Sequence, residues 1–254
     1  MKRWLVLWAL LALMLIWQVA AMVLNQVILP SPLTVVTVFF DELINGEILF
    51  HFLASFWRVI AAMIISVLLA APAGLVLGQS PKLNRIFSPF IYWLYPIPKV
   101  VLVPVVLLFL GIGDLAKIVI ICLILFFQIL VLVRDQAASL RPELIQSVHS
   151  LGAGRRALFR YVYLPASLPA ILTGLRQSVG TAVAVLYIAE LFATHYGLGY
   201  YIFLNGSTMM NYPAMYAGIL AMSLMGLILY FGIDGLERWW CPWMKANRIQ
   251  GPTR

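Results

Sequence analysis

Six apolar runs of about 20 residues or more recur along the chain and restrict its fold more than any other feature. They lie at residues 4–24, 51–78, 89–110, 115–133, 168–193 and 214–233. Runs of this length are typical of helices that cross a bilayer. The chain is 63% hydrophobic and only 10% charged, so a water-soluble fold could not cover its apolar surface. Because the strands of a membrane β-barrel alternate apolar and polar residues, these runs instead predict an all-α, polytopic membrane protein with six transmembrane helices.

The first run is compatible with two structures. Residues 4–24 follow Lys2 and Arg3, as the core of a cleaved signal peptide would. The run is longer than such cores usually are. We therefore favour a retained helix that forms the first span.

Basic residues are distributed unequally between alternate connections. With a cytoplasmic N-terminus, the cytoplasmic segments are 1–3, 79–88, 134–167 and 234–254, and the outer segments are 25–50, 111–114 and 194–213. The outer segments contain no Lys or Arg. Of the 17 basic residues, 13 lie in the cytoplasmic segments, and the other four are Arg58, Lys99, Lys117 and Arg176. The positive-inside rule therefore predicts that both termini are cytoplasmic. The net charge of +8 indicates orientation and not a nucleic-acid partner.

One lysine falls inside a span that prolines interrupt. Lys99 lies near the middle of the third run, directly after Pro96 and Pro98. Prolines free backbone carbonyl groups, which is tolerated within a membrane only where the backbone lines a cavity or packs on protein. Lys99 therefore either lines a substrate pathway or snorkels to the interface.

Two further ionisable residues lie in the fifth span. Arg176 and Glu190 are 14 residues apart, which places them on nearly the same helix face about 21 Å apart. Tyr187 shares the side of Glu190. All three can line a substrate pathway; alternatively, Arg176 snorkels and Glu190 is interfacial. Arg58 and Lys117 lie near outer ends of spans and are expected to snorkel or to pack.

The chain lacks the motifs of several enzyme classes. It contains no G-x-x-x-x-G-K-[ST] phosphate loop, no H-E-x-x-H and no G-x-S-x-G, which are the marks of ATP hydrolysis, zinc proteolysis and serine hydrolysis. Cys122 and Cys241 are far apart, and the three histidines have no metal-ligand spacing. We expect a protein that is not an enzyme and that needs no metal and no cofactor.

The connection at 134–167 is polar but strongly patterned. We predict a helix over 143–151, a break at Gly152 and Gly154, and a second helix over 155–164 that Pro165 ends. The second helix carries a basic face of Arg155, Arg156 and Arg160. Two interpretations stay open: a solvated loop against anionic lipid headgroups, or a docking element for a cytoplasmic partner.

Several motifs, in this order, resemble those of one transporter family. Gly152, nine further residues and then Val162-Tyr163-Leu164-Pro165 are similar to the EAA loop of binding-protein-dependent ABC importer permeases, whose pattern is E-A-A, three residues, G, nine residues, I-x-L-P. Further motifs similar to the nitrate/sulfonate/taurine branch stand at 28–32, 95–99, 104, 111–114, 174–176, 189–190 and 197–200. Gln146, Ser147 and Val148 replace the E-A-A. Because the glycine and the Leu-Pro are kept, the helix–break–helix shape is expected to survive.

The resemblance implies a fold and a function. The fold is the type I ABC importer transmembrane domain, as a single permease domain over 1–254 with 134–167 as its coupling loop. The function is that of a permease subunit of an ATP-driven importer in the bacterial cytoplasmic (inner) membrane, which forms the pathway for a small solute such as a sulfonate, nitrate or taurine. A stand-alone secondary transporter and a membrane scaffold subunit are the alternatives.

The resemblance also implies partners and the residues that meet them. A second permease subunit, expected to be an identical copy, a dimer of ATP-binding cassette subunits that hydrolyse ATP, and an extracytoplasmic substrate-binding protein would complete the transporter. The residues implied to couple to the ATP-binding subunits are Gln146, Ser147, Val148, Gly152, Arg155, Arg156, Leu164 and Pro165. Substrate would pass Lys99, Arg176, Tyr187 and Glu190.

Overall fold

The chain is almost entirely helical. The computed structural model describes residues 3–192 and 194–243, without the side chains of Arg3, Val6, Pro142 and Arg155; Lys2, Lys245, Arg248 and Arg254 of the predicted cytoplasmic segments lie outside them. No β-strand occurs in the described part of the chain. The α-helices are α1 (Arg3–Leu24), α2 (Pro32–Ile44), α3 (Glu47–Gln79), α4 (Pro81–Leu94), α5 (Val103–Leu110), α6 (Asp114–Ala138), α7 (Pro142–Ser150), α8 (Arg155–Leu158), α9 (Leu164–Leu191), α10 (Leu198–Phe203) and α11 (Tyr212–Trp240).

Among the described residues, five helices are long and apolar enough to cross a membrane. Four of them are the long helices α1, α3, α6 and α11, and the fifth runs through α9. The pair formed by α4 and the segment Lys99–Leu110, which is bent by 77°, provides a sixth if it is counted as one span. These helices confirm the predicted all-α, polytopic membrane fold.

The third predicted span is broken in the structure. The helix begins at Pro81 and not at Pro89, so most of the segment 79–88, which was predicted to be a connection, is helical. The helix ends at Leu94, and a short 3-10 turn over Lys99–Leu102 leads into α5. Ser80 explains the early start, because its hydroxyl accepts a hydrogen bond from the backbone N–H of Leu83 as an N-cap.

The predicted end of a helix at Pro165 is wrong. Helical backbone continues from α8 through a π-helical turn over Phe159–Tyr163 into α9. The backbone N–H of Leu164 donates to the carbonyl of Phe159, five residues earlier. This wide turn leads directly into Pro165, which occupies the first turn of α9. Proline is tolerated at such a position because its missing N–H breaks no regular α-helical hydrogen bond there.

The described residues divide into two compact units. One contains the described residues up to Phe56 and those from Glu190 to Met225. In it, the Trp17 indole N–H donates to the Pro30 carbonyl at 3.2 Å, which ties α1 to the turn before α2. The short helix α10, which the sequence did not lead us to expect, lies against α11 where Gly218 leaves room for Tyr201 and Ile202.

The other unit contains Trp57–Ala189 and the described residues from Gly226 onward. Its core is the close crossing of α3 and α6. A Cβ atom at Gly74 would lie 2.9 Å from the Leu130 carbonyl, and one at Gly78 would lie 2.6 Å from the Arg134 carbonyl. Small residues are the usual means of bringing membrane helices this close. On α9, a Cβ atom at Gly174 would lie 2.6 Å from the end of the Leu132 side chain of α6.

Candidate functional site

The Lys99 side chain donates hydrogen bonds to the backbone at the helix break between α4 and α5. Its side chain is only 8% exposed. The ammonium Nζ donates to the carbonyl oxygens of Leu94 at 2.8 Å, Tyr95 at 3.1 Å and Ile97 at 3.4 Å. It also lies 4.5 Å from the centre of the Phe127 ring of α6. The lysine therefore satisfies carbonyl groups that the break after Leu94 leaves without intrahelical partners.

A cavity of about 640 Å³ opens beside this ammonium group. Its walls are the broken segment, α6 and α9, and most of its lining side chains are apolar. Lys99 is the charged residue among them, and Gln128 and Thr181 are polar. The volume lies within the usual range of small-molecule sites. The sequence left open whether Lys99 lines a pathway or snorkels to the interface, and in the structure its head group lies at this cavity.

Arg176 has a different environment. Its Nη1 lies 2.7 Å from an oxygen of Asp234 and 2.9 Å from an oxygen of Glu237, both on α11. The guanidinium group also lies 5.8 Å from the centre of the Tyr230 ring. Asp234 was assigned to a cytoplasmic tail, but α11 continues to Trp240. Arg176 thus joins α9 to α11 by ion pairs and does not need to snorkel.

We expect Arg176→Met to lower the free energy of unfolding by about 1–3 kcal/mol, because the half-buried carboxylates of Asp234 and Glu237 lose this guanidinium group. Arg238→Met is the matched control, since Arg238 pairs with the same Asp234 at 2.7 Å but is 69% exposed; its expected cost is below about 0.5 kcal/mol. Thermal unfolding of the detergent-solubilised protein measures both. Equal midpoints for the two variants would refute a stabilising role of the Arg176 pair.

Glu190 is fully buried, and it belongs to the unit that contains α10. Its two carboxylate oxygens each lie 2.9 Å from the Ser55 hydroxyl, which donates to the carboxylate, and the Gly199 backbone N–H donates to Oε2 at 2.8 Å. Ser55 Oγ in turn accepts from the Leu198 N–H, and His51 Nδ1 accepts from the Gly197 N–H. These bonds fix the first turn of α10 and make Glu190 a positioning residue for the segment after α9.

An ion pair with one fully buried partner lies near the start of α6 and was missed by the sequence analysis. Arg58 is fully buried, and its Nη2 lies 2.7 Å from Asp114 Oδ1. Lys117 is also buried and donates to the Ile112 carbonyl at 2.9 Å. Neither side chain snorkels, and both pack, which was the second of the two expectations. Only the motif 111–114 could have drawn attention to Asp114.

The segment 134–167, which was predicted to be the coupling loop, contains an exposed turn. The helix α7 ends at Ser150, and Gly152 has φ +82°, a conformation that favours glycine. Leu151 beside it is 85% exposed. Of the implied coupling residues, Gln146, Ser147, Arg156 and Leu164 are exposed, Val148 and Pro165 are half-buried, and the Arg155 side chain lies outside the described residues.

The predicted pathway residues do not share one environment. Lys99 lines the cavity, Arg176 is held by α11, Glu190 holds α10, and Tyr187 is half-buried one residue before the cavity-lining Ile188. The polar residue that joins Lys99 at the cavity is Gln128, which the sequence analysis did not single out. In the described residues no group of three His, Cys, Asp or Glu side chains is arranged to hold a metal ion.

Comparisons with known proteins agree with this architecture. Residues 63–245 match the profile of the family described as binding-protein-dependent transport system inner membrane component. The chain is 33% identical over 193 residues to the taurine transport system permease protein TauC of Escherichia coli K12, covering 76% of this chain and 70% of that one. It is 30% identical over 240 residues to the putative aliphatic sulfonates transport permease protein SsuC of the same strain, covering 94% and 91%.

A solved structure has the same fold. An inward-facing form of the MetNI methionine ABC transporter superposes with a TM-score of 0.65 at 17% identity, over 78% of this chain and 98% of that chain. The prediction of a type I ABC importer transmembrane fold is confirmed.

Proposed function

Because the chain belongs to the family of binding-protein-dependent transport system inner membrane components and is a permease subunit of an ABC importer, we propose that its substrate is a small organic sulfonate. Two relatives are named for taurine and for aliphatic sulfonates. The observation that carries the proposal is the ammonium group of Lys99 at a mostly apolar cavity. A positive charge in such surroundings attracts an anion far more strongly than it would in water.

Lys99 would act through its charge. Three backbone carbonyls already take up its N–H donors, so the ammonium is held in place before a substrate arrives. A fixed charge needs no rearrangement when the anion enters, which favours binding. We propose that of the predicted pathway residues Lys99 attracts the sulfonate group, while Arg176 and Glu190 hold their helices.

The partners belong to the same proposal. ATP would be hydrolysed on a separate pair of ATP-binding subunits, an extracytoplasmic binding protein would deliver the sulfonate, and a second copy of this chain would complete the permease with both termini in the cytoplasm. The exposed face of α7, with Gln146 and Ser147, and the exposed Leu151 beside Gly152 support contact with the ATP-binding subunits on this segment. The basic side chain of Arg156 would lie at the same contact.

We expect Lys99→Met to reduce the maximal uptake of ethanesulfonate at least about tenfold, because a buried charge–anion contact is lost. Uptake is measured in proteoliposomes that contain the permease, its ATP-binding subunit and its binding protein, per assembled complex. Lys99→Arg keeps the charge and is expected to retain most of the uptake.

Lys117→Met serves as the matched control, since Lys117 is a second buried lysine that donates to backbone carbonyls. It is expected to lower stability without a selective loss of uptake per assembled complex. Wild-type uptake that persists without the ATP-binding subunit, or Lys99→Met uptake equal to that of the wild type, would contradict the proposal.

A further inference from the structure

The cavity beside Lys99 is joined to a second cavity. The second has a volume of about 300 Å³ and is lined mainly by polar residues, among them Asp135, Gln177 and Ser178. Three residues line both cavities: Tyr95, Gln128 and Thr181. We call these three residues the waist. Because they belong to both walls, the two cavities adjoin each other there.

The residues that line the two cavities lie on one continuous face of α6 and one of α9, so the two cavities form one groove. On α6 the lining residues run from Ile124 to Asp135 at intervals of three and four, and on α9 they run from Gly174 to Ile188 in the same way. Such spacing keeps all of them on one face of each helix. The groove between these faces extends about 21 Å along α9, which is longer than a small solute.

The charge of the residues that line this groove changes sign along its length. Lys99 supplies a positive charge in the larger cavity, and Asp135 supplies a carboxylate in the smaller one. Asp135 is already paired with Arg134, whose Nη2 lies 2.8 Å from its Oδ1. The waist lies between the two ends and has hydroxyl and amide groups but no charge.

Of the three waist residues, Gln128 has a side-chain oxygen that can accept a further hydrogen bond. Its side-chain oxygen Oε1 is buried and has no hydrogen-bond partner within the described residues. A buried amide oxygen without a donor costs free energy. A ligand that brings an N–H group to this point would remove that cost. Lys99 and Gln128 both line the larger cavity, so a molecule bound there can contact both side chains.

We propose that Gln128 determines specificity for an aminoalkanesulfonate over the corresponding alkanesulfonate. The sulfonate group lies toward Lys99, and the ammonium group donates a hydrogen bond to Gln128 Oε1. An alkanesulfonate without the amino group leaves Oε1 unsatisfied, so it crosses the waist less readily. This inference rests on the proposed sulfonate transport and adds to it the feature of the substrate that the membrane subunit recognises.

Taurine and ethanesulfonate are the appropriate probes, because they differ only by the amino group. Maximal uptake of each is measured with the complete transporter in proteoliposomes, at concentrations that saturate the binding protein, so that the ratio of the two rates reports the membrane step. In Gln128→Leu we expect the taurine-to-ethanesulfonate ratio to fall at least about tenfold, the usual effect of losing a hydrogen bond to a charged group. In Gln128→Glu we expect the ratio to rise, because a carboxylate attracts the ammonium group more strongly.

Gln136→Leu is the matched control, since Gln136 lies on the same helix but does not line either of these cavities; its ratio is expected to equal that of the wild type. An unchanged ratio in both Gln128 variants, with both sulfonates transported, overturns the role of Gln128 alone. A wild-type complex that transports neither sulfonate overturns the proposed function as well. Gln128→Glu, which is close to glutamine in size, keeps the test decisive if Gln128→Leu does not assemble.

Discussion

Replacing Asp114 with alanine is expected to lower the free energy of unfolding by about 3 kcal/mol. The change removes the carboxylate that the Nε and Nη2 atoms of the fully buried Arg58 contact at 2.9 Å and 2.7 Å. Removing one partner of such a charged pair costs free energy because the buried donors of the other partner lose an acceptor. Thermal unfolding of the purified protein in detergent measures the effect, which corresponds to a decrease of about 10 °C in the midpoint.

Two variants separate the ion pair from other effects. Asp41→Ala removes an exposed carboxylate from the predicted outer segment 25–50 and is expected to change stability by less than about 0.5 kcal/mol. Arg58→Met combined with Asp114→Leu removes both charges and is expected to be much less destabilising than Asp114→Ala alone. If the double variant unfolds at a lower temperature than Asp114→Ala, the loss of a carboxylate from the buried Arg58 guanidinium group is not the cause.

Gly197→Ala is expected to destabilise the chain by about 3 kcal/mol or more, the sum of backbone strain and a steric clash. Gly197 has φ +126° and ψ 159°, a conformation that is almost restricted to glycine. A Cβ atom there would lie 2.5 Å from the carboxyl carbon of Glu190. The carboxylate or the first turn of α10 would have to move, which would also break the bond from Gly199 N–H to Glu190.

Gly46→Ala distinguishes these two contributions. Gly46 also has a positive φ, +86°, but an added Cβ there would meet nothing within 4 Å, so only strain of about 1 kcal/mol is expected. The comparison uses the thermal midpoints of both variants in the same detergent. Equal midpoints would show that a clash with Glu190 does not contribute to the cost of Gly197→Ala.

The features that could be predicted from the sequence are those that depend on residues close together along the chain. Apolar runs of sufficient length predicted the spans, and prolines predicted the break before Lys99. The glycine at 152 predicted the end of α7. Each of these follows from propensity, hydropathy or missing N–H groups within one stretch of the chain. The cavity next to Lys99 was likewise one of the two outcomes that the prolines allowed.

The contacts that could not be predicted join residues far apart in the sequence. Arg58 and Asp114 are separated by 56 positions, Arg176 and Asp234 by 58, and Ser55 and Glu190 by 135. Periodicity gives the face of a helix on which each residue lies but not the helix that packs against that face. For this reason Arg176 and Glu190 had the same predicted role but have different environments. Gln128 was overlooked because a single glutamine in an apolar run carries no local signal.

The uninterrupted helix from Arg156 to Leu191 has a mechanical consequence. Its 36 residues make a rod about 54 Å long. Thr181 lies 25 residues beyond Arg156, or about 38 Å along that rod. A tilt of about 5° at the Arg156 end therefore displaces Thr181 by about 3 Å, which is as long as a hydrogen bond. We therefore expect a small tilt of this helix at Arg156 to change the width of the waist at Thr181.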